Sequence, residues 1–288
     1  MRFVSYNIQY GKGKDGRFDL GRIARAVDGA DVIALQEVER FWSRSGMTDQ
    51  PAALAEHLPA YHWVYGPGLD MDASLTAADG GIVRRRRQFG NMLLSRTPIL
   101  TSRTHLLPKF GTLVQYSLQR AALEGVIATR DGAIRVYSIH LTHLADESRA
   151  PQVDAVLSIH ARAPGEGGAW CGTHDESWTE GMPAPPMPRE AILMGDFNFP
   201  PSSPLYARFV GPRSPEYGRM NGREGFVDAW VAAGNLEDEG VTCPDPQGGK
   251  RIDYCFVSAG LVGRIGRALI DAAAEGSDHQ PIWTEIDL

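Results

Sequence analysis

The chain has 288 residues, of which 43% are hydrophobic and 22% charged, and its 29 basic and 35 acidic side chains give a formal net charge of −6. These values exclude nucleic-acid binding through a large overall positive charge, although one local basic groove remains compatible with them. Cys171, Cys243 and Cys255 are odd in number and form no CxxC pair, which disfavours both a disulfide framework and a structural zinc site.

The first seven residues lack the long apolar run of a secretory signal peptide. No segment of the chain approaches the roughly 20 apolar residues that a membrane-spanning helix requires. We therefore expect a cytoplasmic protein without a transmembrane segment.

Short apolar runs that end in a polar residue recur along the chain and predict β-strands. Four of them cover residues 2–6, 32–36, 134–139 and 191–194, and the polar residues that follow are Asn7, Glu37, His140 and Asp196. Further strands are predicted at 63–66, 91–95, 121–128, 253–257 and 282–286. The pattern indicates that polar side chains are placed at strand ends.

Between the first two strands, Leu20, Ile23, Ala24 and Val27 have the spacing of one helix face, and Gly29 is a plausible stop. Further helices are predicted at 52–57, 152–161, 204–209 and 226–233. Strands with interspersed helices predict one α/β domain over residues 1–288, in which two sheets pack together under outer helices. Gly- and Pro-rich stretches at 66–88, 163–188, 211–225 and 244–250 are interpreted as loops, and residues 163–189 as a surface insertion.

The most informative segment is ILMGDFN at 192–198, because it places Asp196 and Asn198 directly after a buried strand. Gly195 permits a close approach of the backbone there. Taken alone, the segment fits a simple Asx turn equally well. Four other segments add polar groups at predicted strand ends or loops: SYNIQ at 5–9, LQEV at 35–38, RIDY at 251–254 and GSDHQP at 276–281.

In this order the five segments resemble those of the endonuclease/exonuclease/phosphatase superfamily, the DNase I-like metal-dependent phosphohydrolases. The segment FGNMLLSRTPI at 89–99 is similar to one found in bacterial members, and SIHLTH at 138–143 is similar to their T-H-L strand. The resemblance covers nearly the whole chain. It implies a four-layer α/β sandwich, with two packed mixed β-sheets flanked by helices and a site at one end of both sheets.

The resemblance also implies a divalent cofactor, Mg²⁺ or Mn²⁺, ligated by Glu37 with Asn7 beside it. A carboxylate and an amide oxygen, completed by water and substrate phosphate, suit such a hard cation. Asp278 matches a ligand for a second metal position. Gln9 departs from the acidic residue of several nucleases in the family, so the number of metal ions stays open.

For catalysis, the resemblance assigns Asp196 to orienting and deprotonating the attacking water, and Asn198 to donating a hydrogen bond to the phosphoryl oxygen. His279 would face the same phosphate, either as a protonated donor or as the base. Asp253 matches the carboxylate that orients this histidine. His140 matches a histidine that contacts the phosphate or acts on the leaving group.

Three residues are expected to contact the substrate. Arg120 matches an arginine at the edge of the site in bacterial members, Asn91 belongs to the FGNMLLSRTPI segment, and Arg87 ends a run of four arginines just before it. Such a run is typical of a solvated loop, but next to a phosphate-cleaving site it is equally compatible with binding a second phosphate or an anionic headgroup.

These features predict a hydrolase that acts on phosphate esters, with a small or lipid-derived monoester or diester as substrate. A DNA or RNA nuclease is the alternative. It is not favoured, because the chain is acidic and its arginines are concentrated in one loop. A catalytically inactive binding module would lack Glu37, Asp196, Asn198 or His279, and all four are present. The insertion carries Cys171, His174, Asp175 and Glu176 and is interpreted as an ordered surface segment rather than a metal site.

Overall fold

Two six-stranded mixed β-sheets form the centre of the computed structural model, which covers residues 1–288. The first sheet contains β1 (Arg2–Asn7), β2 (Val32–Arg40), β3 (His62–Asp72), β4 (Arg86–Ser95), β11 (Ile265–Ile270) and β12 (Ile282–Ile286). The second sheet contains β5 (Ile99–Leu106), β6 (Ala121–Thr129), β7 (Gly132–His140), β8 (Ala191–Asp196), β9 (Phe226–Asp228) and β10 (Asp253–Ser258). Two-stranded hairpins join Leu75–Thr76 to Ile82–Val83 and Arg213–Ser214 to Gly218–Arg219.

Six α-helices connect or cover these strands: α1 (Leu20–Ala26), α2 (Gln50–His57), α3 (Asp146–Glu166), α4 (Glu176–Thr179), α5 (Pro204–Val210) and α6 (Ala229–Ala232). Short 3₁₀ turns occur at Gln9–Gly11, Ser43–Ser45 and Ala259–Arg264. Side chains of Asp19, Asp49 and Ser203 accept hydrogen bonds from the first turns of α1, α2 and α5, which fixes where these helices begin. No helix is both long and apolar enough to cross a membrane.

The two sheets have the same internal arrangement, a parallel pair of strands near the centre with antiparallel neighbours. The strand order is β11-β12-β1-β2-β4-β3 in the first sheet and β9-β10-β8-β7-β6-β5 in the second. β1 is parallel to β2, and β7 is parallel to β8. Because parallel strands end at the same edge of a sheet, each sheet brings two strand ends together.

Three hydrophobic clusters divide the molecule into four layers. The central cluster fills the space between the sheets and includes Phe3, Val32, Ile192 and Val257. One outer cluster packs α1 and α2 on the first sheet, and the other packs α3 and α5 on the second. This is the four-layer α/β sandwich that the motifs implied, so the predicted fold class is confirmed.

Polar side chains also join the two sheets near one end of the central cluster. Gln36 donates from Nε2 to the Ser138 hydroxyl at 2.9 Å, and that hydroxyl donates to the Leu35 carbonyl at 2.9 Å. Asn91 donates both amide hydrogens, to the carbonyls of Ala121 and Ser138 at 2.8 and 2.9 Å. These satisfied buried groups fix how the sheets are aligned.

Two strands of the main sheets were missed, as were α4, the two hairpins and the 3₁₀ turns, and one helix was assigned wrongly. The loop predicted at 66–88 is also wrong in part, because β3 runs to Asp72 and a hairpin follows it. β5 was missed because its inward residues, Thr101, Arg103 and His105, are polar, so the strand shows no apolar alternation. β11 is the second missed strand; it lies at a sheet edge and includes Gly266, and glycine weakens a strand pattern. The helix predicted at 226–233 is wrong over its first part: β9 pairs with β10, and Asp228 then caps the short helix α6.

Residues 163–189 form a largely exposed segment that contains the end of α3 and the short α4. Its far end is held by the buried Arg135, which donates to the carbonyls of Pro188 and Arg189 at 2.6 and 2.7 Å. Cys171, His174 and the neighbouring acids do not form a group of three close metal-ligand atoms.

Candidate active site

Polar residues from both sheets converge where the parallel strands end. In the second sheet, His140, Asp196 and Asp253 are direct neighbours across β7, β8 and β10. In the first sheet, Asn7 ends β1 and Glu37 lies on the adjacent β2. Asn7 donates from Nδ2 to Asp196 Oδ2 at 3.0 Å, which joins the two groups directly.

Glu37 is presented by a β-bulge rather than by a strand end. β2 continues to Arg40, and its pairing with β4 shifts register between Leu35 and Val38. Glu37 itself has φ 59°, a left-handed conformation that costs energy in a residue with a side chain. Asn198 also has positive φ, as do Gln9 and Tyr10, which are neighbours of each other in the sequence. Such strained residues cluster at functional sites in proteins.

Asp196 uses its two carboxylate oxygens differently. Oδ1 accepts a hydrogen bond from the backbone of Asn198 at 2.9 Å, so the Asx turn is present, while Oδ2 faces the cluster. The Asn198 side chain donates from Nδ2 to the Leu141 carbonyl at 3.0 Å. Gly195 is required before this turn, because a Cβ at its position would lie 1.9 Å from the Ile139 carbonyl oxygen.

Two histidines flank Asp196 Oδ2. His140 Nε2 lies 3.4 Å from it and His279 Nε2 lies 3.9 Å from it. Burial, and then the charge of Asp253, raise the pKa of Asp196 to about 7. A carboxyl with a pKa near neutrality exchanges a proton readily at physiological pH.

His279 is paired with Asp253 through its other ring nitrogen, since Nδ1 lies 2.8 Å from Asp253 Oδ2. Burial opposes the charged imidazolium, but the charge of Asp253 and its hydrogen bond outweigh burial and raise the pKa of His279 well above its usual value. This pairing favours the protonated ring, whose Nε2 lies on the same side of the site as Asp196.

His140 has the opposite charge state. Burial, and then the guanidinium of Arg120, lower the pKa of His140 well below its usual value. Arg120 Nη1 lies 2.9 Å from His140 Nδ1. A guanidinium can only donate, so Nδ1 accepts and the neutral ring carries its proton on Nε2, facing Asp196.

The carboxylates of this cluster fit a hard divalent cation. Glu37 is only 21% exposed and forms no ion pair with a lysine or arginine; it lies 4.0 Å from Nε2 of His140, whose ring is neutral. Burial raises the pKa of Glu37, which means that its negative charge is destabilised when no cation is bound. Asp253 Oδ1 is buried without a hydrogen-bond partner. Bound Mg²⁺ or Mn²⁺ would offset this clustered negative charge.

A model of the endonuclease/exonuclease/phosphatase family matches residues 4–279. The chain belongs to this family. Its members are phosphoester hydrolases and generally use divalent metal ions. The resemblance inferred from the five segments is therefore confirmed. The structure brings Asp196, Asp253 and His279 together in one buried cluster, and their roles stay predictions.

Solved structures share the fold over 100% of this chain. A family member from Beutenbergia cavernae has a TM-score of 0.66 at 21% identity, with 71% of that chain covered. Another, from Bacteroides vulgatus, has 0.67 at 18% identity and 98% coverage. The mannosyl-6-phosphatase of Bacteroides thetaiotaomicron has 0.64 at 18% identity and 100% coverage. No curated protein matches the sequence.

The remaining predicted residues lie at or behind the edge of the cluster. Asp278 is exposed and accepts a hydrogen bond from Gln9 Nε2 at 2.6 Å, so Gln9 holds the Asp278 carboxylate in place. Asn91 lies behind the cluster, where both amide hydrogens are used by backbone carbonyls. Arg87 lies further along β4 and donates from Nε to the Phe41 carbonyl at 3.2 Å.

Sequence reasoning missed Tyr10 and Arg44 as residues of this region. The Arg44 guanidinium carbon lies 4.0 Å from the centroid of the Tyr10 ring. Tyr10 follows the SYNIQ segment directly, and this position was the one available signal. Arg44 lies in a loop outside all the motifs, so no pattern distinguished it from other surface arginines.

Proposed function

We propose that this family member is a Mg²⁺- or Mn²⁺-dependent phosphoesterase that hydrolyses its substrate by in-line attack of water. The substrate class is a small or lipid-derived phosphate monoester or diester. The observation that supports this proposal best is the environment of Asp196 Oδ2, which is fixed by Asn7 and faces one protonated and one neutral histidine. A candidate base (Asp196), a cationic donor (His279) and a neutral donor (His140) thus face the same space next to Asp196 Oδ2.

Glu37 and Asn7 would hold the metal ion, and Asp278 would contribute at a second position. Bound there, a divalent cation supplies Lewis-acid stabilisation of phosphate charge and of the leaving oxygen. His279 is not placed among the ligands, although its atoms lie within 4.8 Å of the Asp196 and Asp253 oxygens. Its Nδ1 is engaged by Asp253 and the ring is protonated, so neither nitrogen has a free lone pair.

Asp196 acts as the general base in this proposal. Its carboxylate is oriented from both oxygens, by Asn198 and by Asn7, and its pKa of about 7 suits proton transfer at neutral pH. His279 acts as the cationic donor to a non-bridging phosphate oxygen, with Asp253 holding the ring. Of the two roles that the motif leaves open for His279, the proposal takes the protonated donor.

Three further side chains are assigned supporting roles. Neutral His140 would donate its Nε2 proton to the phosphate or leaving group, and Arg120 fixes that tautomer. Asn198 retains one amide hydrogen, which would stabilise charge on the phosphoryl oxygen. Among the predicted substrate contacts, Arg87 is retained at the outer edge, whereas Asn91 is better suited to aligning the sheets.

The test is hydrolysis of a panel of phosphate esters by the purified protein with Mg²⁺ or Mn²⁺. The panel includes bis-p-nitrophenyl phosphate, sugar and inositol phosphates, lysophospholipids and single-stranded oligonucleotides. We expect turnover of at least one small ester, loss of turnover with EDTA, and recovery on adding metal. Turnover restricted to oligonucleotides would favour the nuclease alternative, and metal-independent turnover would contradict the proposal.

A further inference from the structure

A loop next to the site carries an arginine that is held rigidly by a buried acid. Arg44 donates from Nη2 and Nε to Glu39 Oε2 at 2.7 and 3.0 Å. The Glu39 side chain is fully buried and also accepts a hydrogen bond from the Ser45 hydroxyl. Arg44 Nη1 has no protein partner, and the side chain is 42% exposed. The guanidinium is thus oriented with one free end.

Aromatic rings hold this arginine on a second side. The Arg44 guanidinium carbon lies 4.0 Å from the Tyr10 ring centroid and 4.7 Å from that of Trp42. Trp42 is itself anchored, since its indole nitrogen donates to the Gln88 carbonyl at 2.8 Å. Arg87 lies 5.7 Å from the same indole and has no acidic partner within 4.0 Å. Among the side chains in direct contact with Arg44 and Trp42, two arginines face one acid, the buried Glu39.

The surface adjoins the catalytic cluster. Tyr10 follows Gln9, whose side chain holds Asp278. The guanidinium carbons of Arg44 and Arg120 each lie 5.9 Å from the Phe89 ring centroid, so they are at most twice that distance apart. Arg120 contacts His140 inside the cluster. A molecule of sufficient length with one phosphate at Asp196 would therefore extend from the cluster to Arg44.

We infer that Arg44 and Arg87, whose guanidinium carbons lie 4.7 and 5.7 Å from the Trp42 ring centroid, form a subsite for a second anionic group, and that the substrate is a phosphate ester carrying an additional phosphate or carboxylate. This inference rests on the proposed function, because it places the first phosphate at Asp196 and His279. An anion fits better than a stacked base, because the Tyr10 ring is already in contact with Arg44 and Phe18. A prealigned guanidinium binds an anion with little further loss of side-chain entropy.

The experiment uses a series of α,ω-alkane diphosphonates with one to about ten methylene groups, so that the longer members span the distance from Asp196 to Arg44, each compared with the alkylphosphonate of equal length. Binding is measured by isothermal titration calorimetry with Mg²⁺ in excess over the ligand. We expect at least one diphosphonate to bind about 10- to 100-fold tighter than its partner, which is the scale of a charge-assisted hydrogen bond. Equal affinities across the whole series, or no detectable binding, would overturn the subsite.

Arg87→Gln is the main variant, since Arg87 has no acidic partner and its loss leaves no unpaired buried charge. It should reduce the diphosphonate preference at least several-fold while alkylphosphonate affinity is unchanged. Arg44→Gln alone would leave the buried Glu39 carboxylate without its ion-pair partner. Arg44→Gln is therefore combined with Glu39→Gln in the same chain. The matched control is Arg86→Gln, because Arg86 adjoins Arg87 but pairs with Asp70 at 2.8 Å. An unchanged preference in both arginine variants, or an equal loss in the control, would refute the assignment.

The hydrolysis panel distinguishes failure of the subsite from failure of the proposed function. Turnover of small esters without any diphosphonate preference would retain the proposed function and reject the subsite. A preference that disappears in Arg87→Gln, in a protein without hydrolytic activity, would retain the subsite and reject the proposed function.

Discussion

Asn7 Nδ2 donates a hydrogen bond to Asp196 Oδ2 at 3.0 Å, across 189 residues of sequence and from one sheet to the other. Both side chains are nearly inaccessible to solvent. The contact forms only when β1 and β8 end at the same height on facing sheets. The alignment of the sheets therefore determines whether the base of the proposed reaction is oriented.

Replacing Asp196 by asparagine should reduce turnover by roughly 10²- to 10⁴-fold, the usual range for removing a positioned acid–base group. The substitution preserves shape, so the fold should be retained. The measurement is kcat on the best ester of the panel, with circular dichroism to confirm folding. Glu56→Gln, on the exposed end of α2, serves as the control and should be unaffected. Wild-type turnover in the Asp196 variant would remove this residue from the mechanism.

The same variant should change how stability depends on pH in metal-free protein. Because the pKa of Asp196 is raised to about 7 from its ordinary value of 3.8, the folded state binds an extra proton between these limits. The wild type should therefore lose stability relative to Asp196→Asn as pH rises from about 4 to 7, by on the order of a few kcal/mol, and level off above pH 7. Urea unfolding in EDTA at several pH values measures this. Parallel curves for the two proteins would contradict the raised pKa.

Much of this site could be predicted because polar residues after apolar runs mark strand ends. Asn7, His140 and Asp196 were located in this way, and the ordered motifs added His279 and Asp253. Glu37 was placed at a strand end, but it lies on a bulge that depends on pairing with β4. The Arg44–Glu39 pair was missed because two charged residues five positions apart look like ordinary surface residues until folding buries one of them.

Asp253→Asn should shift the pH dependence of activity rather than abolish activity. Burial favours neutral His279, and the Asp253 carboxylate overcomes that effect, so its removal should lower the pKa of His279. The alkaline limb of kcat/KM, where the donor loses its proton, should move to lower pH. His279→Ala should instead reduce turnover by roughly 10²- to 10⁴-fold at all pH values. An unshifted alkaline limb in Asp253→Asn would show that His279 is not the titrating donor.

Arg120→Met should raise the pKa of His140, because the guanidinium charge and its hydrogen bond to Nδ1 both oppose protonation of the ring. NMR titration of the imidazole resonances measures this shift, with exposed His57 as the internal reference. Burial still opposes the charged ring, so we expect a partial recovery toward the usual histidine pKa. A resonance of His140 that titrates identically in both proteins would exclude Arg120 as the residue that sets its tautomer and charge.

Glu37→Gln should weaken binding of the divalent cation, because an amide oxygen replaces the partly buried carboxylate that lacks a lysine or arginine partner. Mg²⁺ stabilises a folded protein that binds it, in proportion to RT ln(1 + [Mg²⁺]/Kd). Thermal unfolding should therefore show a Tm that rises with Mg²⁺ concentration in the wild type and much less in Glu37→Gln. Without metal the variant should be at least as stable as the wild type at neutral pH, since burial raises the pKa of Glu37 and its charge is costly. Equal Mg²⁺-dependent shifts in both proteins would place the cation away from Glu37, even if EDTA abolishes hydrolysis.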